Sequence, residues 1–220
     1  MKKRVLIICL SVLVAICLAV AIPFMVTAIK TNNMKRDYSY LLNDEIYAEK
    51  VEINDIELVT QHISCGYATI EMMSSFYGNK VTEDDLSEKH NGKIVTSSSN
   101  GFSKEINDVI NNKTFVRKRY LKDDELLKQV HNALSKGNPV AIEWAALYEG
   151  VWTLHFSVVS GMDLSNDDIT IYNPYGEIEH ITTEEFLNRT SFNAYEHMPL
   201  FLKFGFAFGA FHKNTIFYAE

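Results

Sequence analysis

The chain has 220 residues, of which 47% are hydrophobic and 22% are charged, with 10 glycines and 4 prolines. These proportions are typical of a globular protein and exclude a collagen-like or low-complexity chain. All 28 acidic residues but only 17 of the 21 basic residues lie in residues 31–220, which therefore carry a formal charge of −11. This acidic balance argues against nucleic acid as a partner, because nucleic acid binding requires a basic surface.

The first predicted element is a long apolar helix. Residues Val5 to Ile29 contain no charge, and the basic triplet Lys2–Arg4 precedes them. About 20 apolar residues suffice to cross a bilayer. A secretory signal cleaved near Ala28 is the alternative, although the apolar core of such signals usually has about 7–15 residues. We therefore expect residues 1–30 to be an uncleaved signal anchor in the lipid bilayer of the cell membrane, with the N-terminus inside and the remaining chain outside.

The segment after the anchor changes from polar to mixed composition. Residues 31–50 are polar and predict a tether, and residues 51–220 predict one folded domain. Within the domain, a short extended stretch at Ile56–Val59 comes first. A helix is then predicted over residues 65–77, because its apolar residues follow helical spacing and Gly78 can end it.

Periodicity and capping residues predict the elements that follow. Helices are predicted over Thr82–Lys89, Asp123–Lys136 and Thr182–Asn188, and strands over Phe115–Leu121, Pro139–Trp144, Trp152–Ser160, Asp168–Tyr172, Glu177–Ile181 and Thr215–Tyr218. The polar stretch Ser97–Gly101 predicts a loop. The apolar stretch Pro199–Phe211 is too short to span a membrane and predicts a buried helix or hairpin. Helices followed by an antiparallel sheet predict an α+β domain.

One cysteine lies outside the N-terminal apolar run. Cys9 and Cys17 are inside it, whereas Cys65 opens the predicted helix, so no disulfide within the domain is expected. A buried structural cysteine is the alternative to a reactive one. Free backbone N–H groups and the helix dipole at a helix N-terminus lower the pKa of a thiol. We therefore expect Cys65 to be a nucleophile, with Gly66 leaving room for a substrate backbone.

A nucleophilic cysteine needs a base, and His155 is the candidate. Strand alternation places Thr153, His155 and Ser157 on one face, opposite Leu154 and Phe156. The first face is the more polar one, and its small residues leave space for a cleft. A histidine that is merely hydrogen-bonded within the sheet is the alternative.

A third group must hold the imidazole in one tautomer. The next predicted strand leads to Asn173, and neighbouring strands can bring its amide oxygen beside His155 to accept the imidazole N–H. An ordinary Asn-Pro turn is one alternative, and Asp163 as the orienting residue is another. Gln61, four residues before the cysteine, can donate from its side-chain amide to a developing oxyanion, together with the cysteine backbone N–H.

Three motifs carry a family resemblance. They are Gln61…Cys65-Gly66-Tyr67-Ala68, His155-Phe156-Ser157-Val158-Val159-Ser160-Gly161 and Asn173-Pro174-Tyr175-Gly176. Together they resemble the papain-like clan and, within it, the bacteriocin-processing (double-glycine leader) peptidase family and its stand-alone relatives. The resemblance implies an N-terminal helical part that carries the cysteine and packs on an antiparallel sheet carrying the histidine and asparagine. It also implies that Gln61 is the oxyanion residue, Cys65 the nucleophile, His155 the base and Asn173 the orienting residue.

The predicted function is that of a membrane-tethered, extracytoplasmic cysteine peptidase. It cleaves amide bonds of a peptide or protein substrate and needs no cofactor. One alternative is an acyl-transferring or cell-wall amidase variant of the same site. The other is a catalytically inactive papain-like module for binding or immunity at the cell surface. The sequence indicates no oligomeric state.

Overall fold

A computed structural model describes residues 2–220. The seven strands in this range form one antiparallel sheet in the order β2-β7-β3-β4-β5-β6, with β1 paired to β4. The strands are β1 (Val51–Glu52), β2 (Phe115–Lys118), β3 (Val140–Tyr148), β4 (Val151–Asp163), β5 (Asp168–Asn173), β6 (Glu177–Ile181) and β7 (Thr215–Ala219). The long strand β4 lies between β3 and β5 and pairs with three other strands, β1, β3 and β5.

The described chain also forms seven α-helices and a short 3-10 helix, Ser39–Asn43. The α-helices are α1 (Lys2–Met34), α2 (Cys65–Phe76), α3 (Glu83–Lys89), α4 (Ser99–Val109), α5 (Asp123–Ser135), α6 (Thr183–Thr190) and α7 (Leu200–Ala207). Helices α2 and α5 pack on β4, and α6 packs on β3. Helices in the first half and an antiparallel sheet in the second confirm the predicted α+β class.

The hydrophobic core forms where the helices of the first half meet the sheet. Phe102 of α4 stacks on Phe156 of β4, with 4.4 Å between the ring centroids, and contacts Phe217 of β7. All three rings are buried. Burial of one such side chain contributes about 1.5–3 kcal/mol to stability. This packing fixes the helices against β4, the strand that carries His155.

The stretch predicted as a loop at Ser97–Gly101 instead begins a helix. The Ser98 hydroxyl accepts the backbone N–H of Gly101 at 3.1 Å and caps α4. Phe102 and Ile106 on one face of α4 are fully buried. The loop prediction was wrong because serine and asparagine are also the preferred residues at helix N-termini.

Residues 31–50, the segment predicted as a tether, pack against the folded domain. Helix α1 continues to Met34, which is buried, and Leu41 in the 3-10 helix is fully buried in the core. Residues 31–50 therefore contribute side chains to the packed structure. The predicted extended stretch Ile56–Val59 lies outside the strands, and the first strand is β1 instead.

Helix α1 has the length and composition of a membrane-spanning helix, and a signal sequence has the same properties. Its apolar side chains from Leu6 to Ile29 are mostly exposed. Only its last turns meet the domain. Phe24 packs edge-to-face on Phe204 of α7 with 5.1 Å between ring centroids, and the Thr27 hydroxyl donates to the carbonyl of Phe206 at 3.4 Å.

Candidate active site

Cys65 is the first residue of α2. Ser64 caps this helix, because its hydroxyl accepts the backbone N–H of Tyr67 at 3.2 Å and its backbone is extended. Tyr67 is fully buried and its hydroxyl donates to the carbonyl of Lys93 at 2.7 Å, which anchors the first turn. Cys65 is partly exposed as a residue, although its thiol is surrounded by protein groups.

A buried carboxylate holds the loop before Cys65. Glu83, at the start of α3, is fully buried. Its side chain accepts the backbone N–H groups of His62, Ile63 and Ser64 at 3.0, 3.0 and 2.8 Å. Three charge-assisted bonds to consecutive residues fix the approach to the helix. Glu83 was not predicted from the sequence, where it resembles an ordinary acidic residue in the first turn of a short helix.

The Cys65 thiol lies against strand β4. The backbone N–H groups of Phe156, the residue that follows His155, and of Gly66 are close enough to its sulfur to lower the pKa of the thiol. A Cβ atom at Gly66 would lie 2.4 Å from the Oγ1 atom of Thr96. The space beside Gly66 is thus filled by Thr96, and not by a substrate backbone as predicted.

His155 and Asn173 are in direct contact. The Nε2 atom of His155 and the Oδ1 atom of Asn173 are 2.8 Å apart, and both side chains are buried. Asp163, the alternative orienting residue, instead accepts two hydrogen bonds from Asn166 at 3.0 and 2.8 Å. The adjacent strands β4 and β5 therefore bring His155 and Asn173 together.

Tyr175 covers this pair. Its ring stacks on the His155 imidazole with 4.0 Å between centroids, and its backbone N–H donates to Oδ1 of Asn173 at 3.0 Å. Its hydroxyl is 2.7 Å from the Thr153 hydroxyl on the same face of β4. The ring keeps water away from the hydrogen bond between imidazole and amide and limits rotation of the imidazole.

The polar contacts continue beyond Asn173 to an ion pair. The Nδ2 atom of Asn173 donates to Oε1 of Glu179 on β6 at 2.5 Å. Arg189 of α6 donates to both oxygens of Glu179, at 2.5 and 3.3 Å. A carboxylate only accepts hydrogen bonds, so the amide nitrogen of Asn173 faces Glu179 and its oxygen faces His155. The imidazole therefore carries its proton on Nε2, and Nδ1 is left as a free base.

Arg189 is itself firmly held. Its Nε atom donates to the carbonyl of Ala145 at 2.9 Å, and its guanidinium lies 3.5 Å from the centroid of the Trp144 ring. Only 4% of its side chain is exposed. Buried charges are stable when they are paired and fully hydrogen-bonded, as here. Glu179 and Arg189 were not predicted as parts of the site, although both lie in predicted elements.

Burial dominates the protonation of Cys65 and His155. Desolvation raises the pKa of Cys65 to about 11, although the N–H groups of Phe156 and Gly66 act in the opposite direction. Desolvation lowers the pKa of His155 to about 3, against the opposing effect of Asn173. The expected lowering of the thiol pKa by the helix N-terminus is thus outweighed by burial. In this state the pair is a neutral thiol and a neutral imidazole.

The backbone of Gln61 links the loop before Cys65 to the turn after Asn173. Its N–H donates to the carbonyl of Pro174 at 2.8 Å, next to Asn173. Its side-chain Oε1 atom is buried and has no hydrogen-bond partner in the described chain. An unpaired polar atom of this kind is uncommon in folded proteins and is often found at functional sites.

A cavity of about 370 Å³ opens beside the cysteine. Cys65 and Thr96 form one wall, and Leu154, Phe201 and Phe211 are among its apolar lining residues. The cavity is thus mainly apolar, and its polar lining consists of the Cys65 thiol and the hydroxyl-bearing residues Ser64, Thr96, Ser97, Thr153 and Tyr195. Such a site accommodates an apolar segment of a ligand next to a reactive group.

Comparisons with known proteins matched one family and several solved structures. The model of the Peptidase_C39 like family matches residues 53–199, a span that includes all four candidate residues. One similar structure is a double glycine motif protease from an AMS/PCAT transporter in complex with the leader peptide, with 15% identity, a TM-score of 0.50 and coverage of 75% of this chain and 91% of that chain. Another is the peptidase domain of Streptococcus ComA, a bi-functional ABC transporter involved in a quorum sensing pathway, with 16% identity, a TM-score of 0.45 and coverage of 74% and 98%. No curated protein matches the chain.

Proposed function

Because the chain belongs to the Peptidase_C39 like family, as its three motifs predicted, we propose that it is an active cysteine peptidase with a Cys65–His155–Asn173 triad. The hydrogen bond of 2.8 Å between Nε2 of His155 and Oδ1 of Asn173 carries this proposal. It orients the imidazole so that Nδ1 is available as the base, on the strand that Cys65 contacts.

Acylation begins when a peptide carbonyl reaches the thiol. The Sγ atom attacks the carbonyl carbon while its proton passes to Nδ1 of His155, and the carbonyl oxygen becomes an oxyanion. The imidazolium then donates that proton to the leaving nitrogen as the C–N bond breaks. The products of this half-reaction are a free amine and a thioester on Cys65.

Hydrolysis of the thioester restores the enzyme. A water molecule gives a proton to Nδ1 of His155 and attacks the thioester carbon, after which the carboxylic acid leaves and Cys65 regains its proton. The backbone N–H of Cys65 and the side-chain amide of Gln61 stabilise the oxyanion in both half-reactions. The Oε1 atom of Gln61 accepts no hydrogen bond, so no bond through this oxygen prevents the amide from turning its Nε2 group toward the oxyanion.

The neutral state of the pair determines the order of events. With the thiol pKa near 11 and the imidazole pKa near 3, transfer of the proton before attack is unfavourable. Proton transfer therefore accompanies attack on the carbonyl, so His155 acts as a general base. The negative charge then forms on the carbonyl oxygen of the substrate in the cavity, and not on the free thiol.

We also propose that α1 remains attached and anchors the enzyme in the cell membrane, with the domain outside. The basic triplet Lys2–Arg4 before the apolar run supports this orientation. Cleavage near Ala28 would remove the contact between Phe24 and Phe204. The substrate is then a peptide or protein on the outer side of the membrane.

Peptide cleavage tests the proposed activity even though the natural substrate is unidentified. Purified full-length protein is incubated with a mixture of synthetic peptides that samples all pairs of neighbouring residues, and products are identified by mass spectrometry. We expect new termini with the wild-type protein and none with Cys65→Ala, because no other group in the site can form the thioester. Cys17→Ala, which removes an exposed thiol of α1, is the matched control and keeps wild-type activity.

Two outcomes would contradict the proposal. Equal cleavage by the wild-type protein and Cys65→Ala would exclude Cys65 as the nucleophile. Absence of cleavage by the wild-type protein, together with no thioester or alkylated Cys65 after incubation with an electrophilic peptide probe, would leave a papain-like fold that serves as a binding module.

A further inference from the structure

Helix α7 is apolar on two opposite faces. Leu202 and Phe206 are buried, and Phe206 packs against Phe192 with 4.7 Å between ring centroids. The other face carries Leu200 and Phe201, which are 66% and 68% exposed. Phe204 and Phe208 extend this exposed face by one and two turns and stack on each other at 6.0 Å. Large apolar side chains grouped in this way mark an interaction surface.

The two glycines of this segment serve the local fold. A Cβ atom at Gly205 would lie 2.4 Å from ring carbons of Phe211, so Gly205 lets that ring pack closely on α7. Gly209 has a φ of +77° and ends the helix. Neither glycine is available for pairing with another membrane helix. The prediction of a buried helix is thus correct for one face of α7 and wrong for the other.

The exposed face of α7 is continuous with α1. Phe24 of α1 packs on Phe204, and Thr27 donates to the carbonyl of Phe206. Phe24 lies five residues before Ile29, the last residue of the apolar run, which corresponds to about 7.5 Å along the helix. Helices that lie in a membrane interface bury their apolar face by about 5–10 Å. Helix α7 therefore contacts α1 at a depth, measured from the end of the apolar run, that is typical of helices in a membrane interface.

We propose that α7 docks on the lipid bilayer, with Leu200, Phe201 and Phe208 inserted among the lipids. This inference rests on the proposed role of α1 as the anchor. Helix α7 contains Lys203, which is exposed, and no acidic residue, although residues 31–220 as a whole are strongly acidic. A cationic, apolar helix suits a membrane surface better than the rest of this domain does.

This docking places the active site at the membrane. Phe201 and Leu202 of α7 line the same cavity as Cys65. With α7 in the interface, one wall of the cavity lies at the level of the lipid headgroups. The enzyme is then suited to peptide segments that leave or enter the bilayer surface, because such segments reach the thiol without leaving the interface.

Quenching of tryptophan fluorescence by brominated lipids tests the docking. Full-length Phe201→Trp and Phe208→Trp proteins are reconstituted in phosphatidylcholine vesicles, with or without acyl chains brominated near the headgroup. The signal of the parent protein, which contains Trp144 and Trp152, is subtracted.

We expect at least a twofold loss of fluorescence for both tryptophan variants. The matched control is Lys136→Trp, an exposed position just after α5 and outside both α1 and α7. It should be unquenched.

A second reporter separates this inference from the anchor. In Val14→Trp the new side chain lies in the middle of α1, so its quenching by acyl chains brominated near their ends shows that the helix is inserted. Quenching of Val14→Trp without quenching of Phe201→Trp would overturn the docking and leave the anchor intact. Quenching of Phe201→Trp alone would support docking and contradict the anchor. A blue shift of Phe201→Trp without quenching would mean that protein, such as a second copy of the chain, covers α7, and would overturn the docking.

Discussion

Two polar clusters of the domain are each built around a buried histidine but differ in their connections. The active-site cluster runs from His155 through Asn173 to Glu179 and Arg189. The second cluster, which we call the strut, consists of Arg119, His212, Ser99 and Glu143. Each cluster contains a histidine, a carboxylate and an arginine. The difference between them lies in whether the histidine keeps a ring nitrogen free, as the proposed base must.

In the strut, both ring nitrogens of His212 are in use. Nε2 lies 2.8 Å from Nη1 of Arg119, which can only donate, so Nδ1 carries the proton and donates to the Ser99 hydroxyl at 3.1 Å. That hydroxyl donates to Glu143 at 2.5 Å. His212 therefore has no free lone pair. Burial and the neighbouring Arg119 lower the pKa of His212 to about 4, which keeps it neutral.

The placement of the charges differs as well. In the active site, Arg189 is paired directly with Glu179, which leaves Nδ1 of His155 free at the other end of the cluster. In the strut, Arg119 and Glu143 lie at opposite ends, and Oε1 of Glu143 is buried without a hydrogen-bond partner among residues 2–220. Burial raises the pKa of Glu143 to about 8. Ser99, Glu143 and His212 of the strut thus join α4, β3 and the segment before β7 through neutral groups, with the Arg119 cation at one end, whereas the active-site cluster leaves Nδ1 of His155 free.

The largest expected effect comes from exchanging each histidine for asparagine. His155→Asn should lower kcat/KM on a cleaved peptide by about 10³-fold, because general-base catalysis is lost. His212→Asn should leave activity per folded molecule within about threefold, with the folded fraction measured by circular dichroism. Equal losses of activity per folded molecule in the two variants would mean that a free ring nitrogen does not distinguish the function of His155 from that of His212.

A smaller effect is expected when the orienting carboxylate is made an amide. In Glu179→Gln the new side chain can also donate, so the Asn173 amide is no longer restricted to one orientation. Loss of one oriented hydrogen bond, about 1.4 kcal/mol, corresponds to about a 10-fold lower kcat with little change in KM. Glu177→Gln, at an exposed position of the same strand, is the matched control. A purely structural role of Glu179 would instead lower thermal stability and leave the kcat and its pH profile of the folded enzyme unchanged.

The last prediction concerns stability rather than activity and belongs to the strut. The unfolded chain releases the Glu143 proton near pH 4.5, whereas the folded protein keeps it up to about pH 8. The free energy of unfolding should therefore fall with rising pH in this window, by up to about 1.4 kcal/mol per pH unit, relative to that of Glu143→Gln. Urea unfolding of both proteins between pH 4 and pH 9 measures the difference. A difference that does not vary with pH would show that Glu143 ionises normally in the folded protein.

Local patterns in the sequence were sufficient for much of the architecture. Apolar spacing predicted α2 and α5, strand alternation predicted β4, and capping residues predicted α3 and α6. These patterns reflect which residues face the core, and neighbouring residues in the chain determine them. The serine-rich start of α4 was misread, because the same residues favour a loop or a helix cap until the helix has a surface to pack on.

The pairing of Asn173 with His155 was foreseen because β4 and β5 are consecutive strands. Glu179 and Arg189 were not foreseen, since their partners depend on how β6 and α6 fold back on the sheet. Glu83 was missed for the same reason. It lies 18 residues after Cys65 and reaches the loop before it only after α3 has packed beside α2.

The sequence by itself determined the chemical groups and their local settings: a thiol at a helix N-terminus, a histidine on a strand, and an apolar helix before the domain. Tertiary structure alone decided their energetics. Desolvation depends on all the groups packed around an atom, so burial reversed the expected shift of the Cys65 pKa. The exposed face of α7 likewise arises because only one side of that helix finds space in the core.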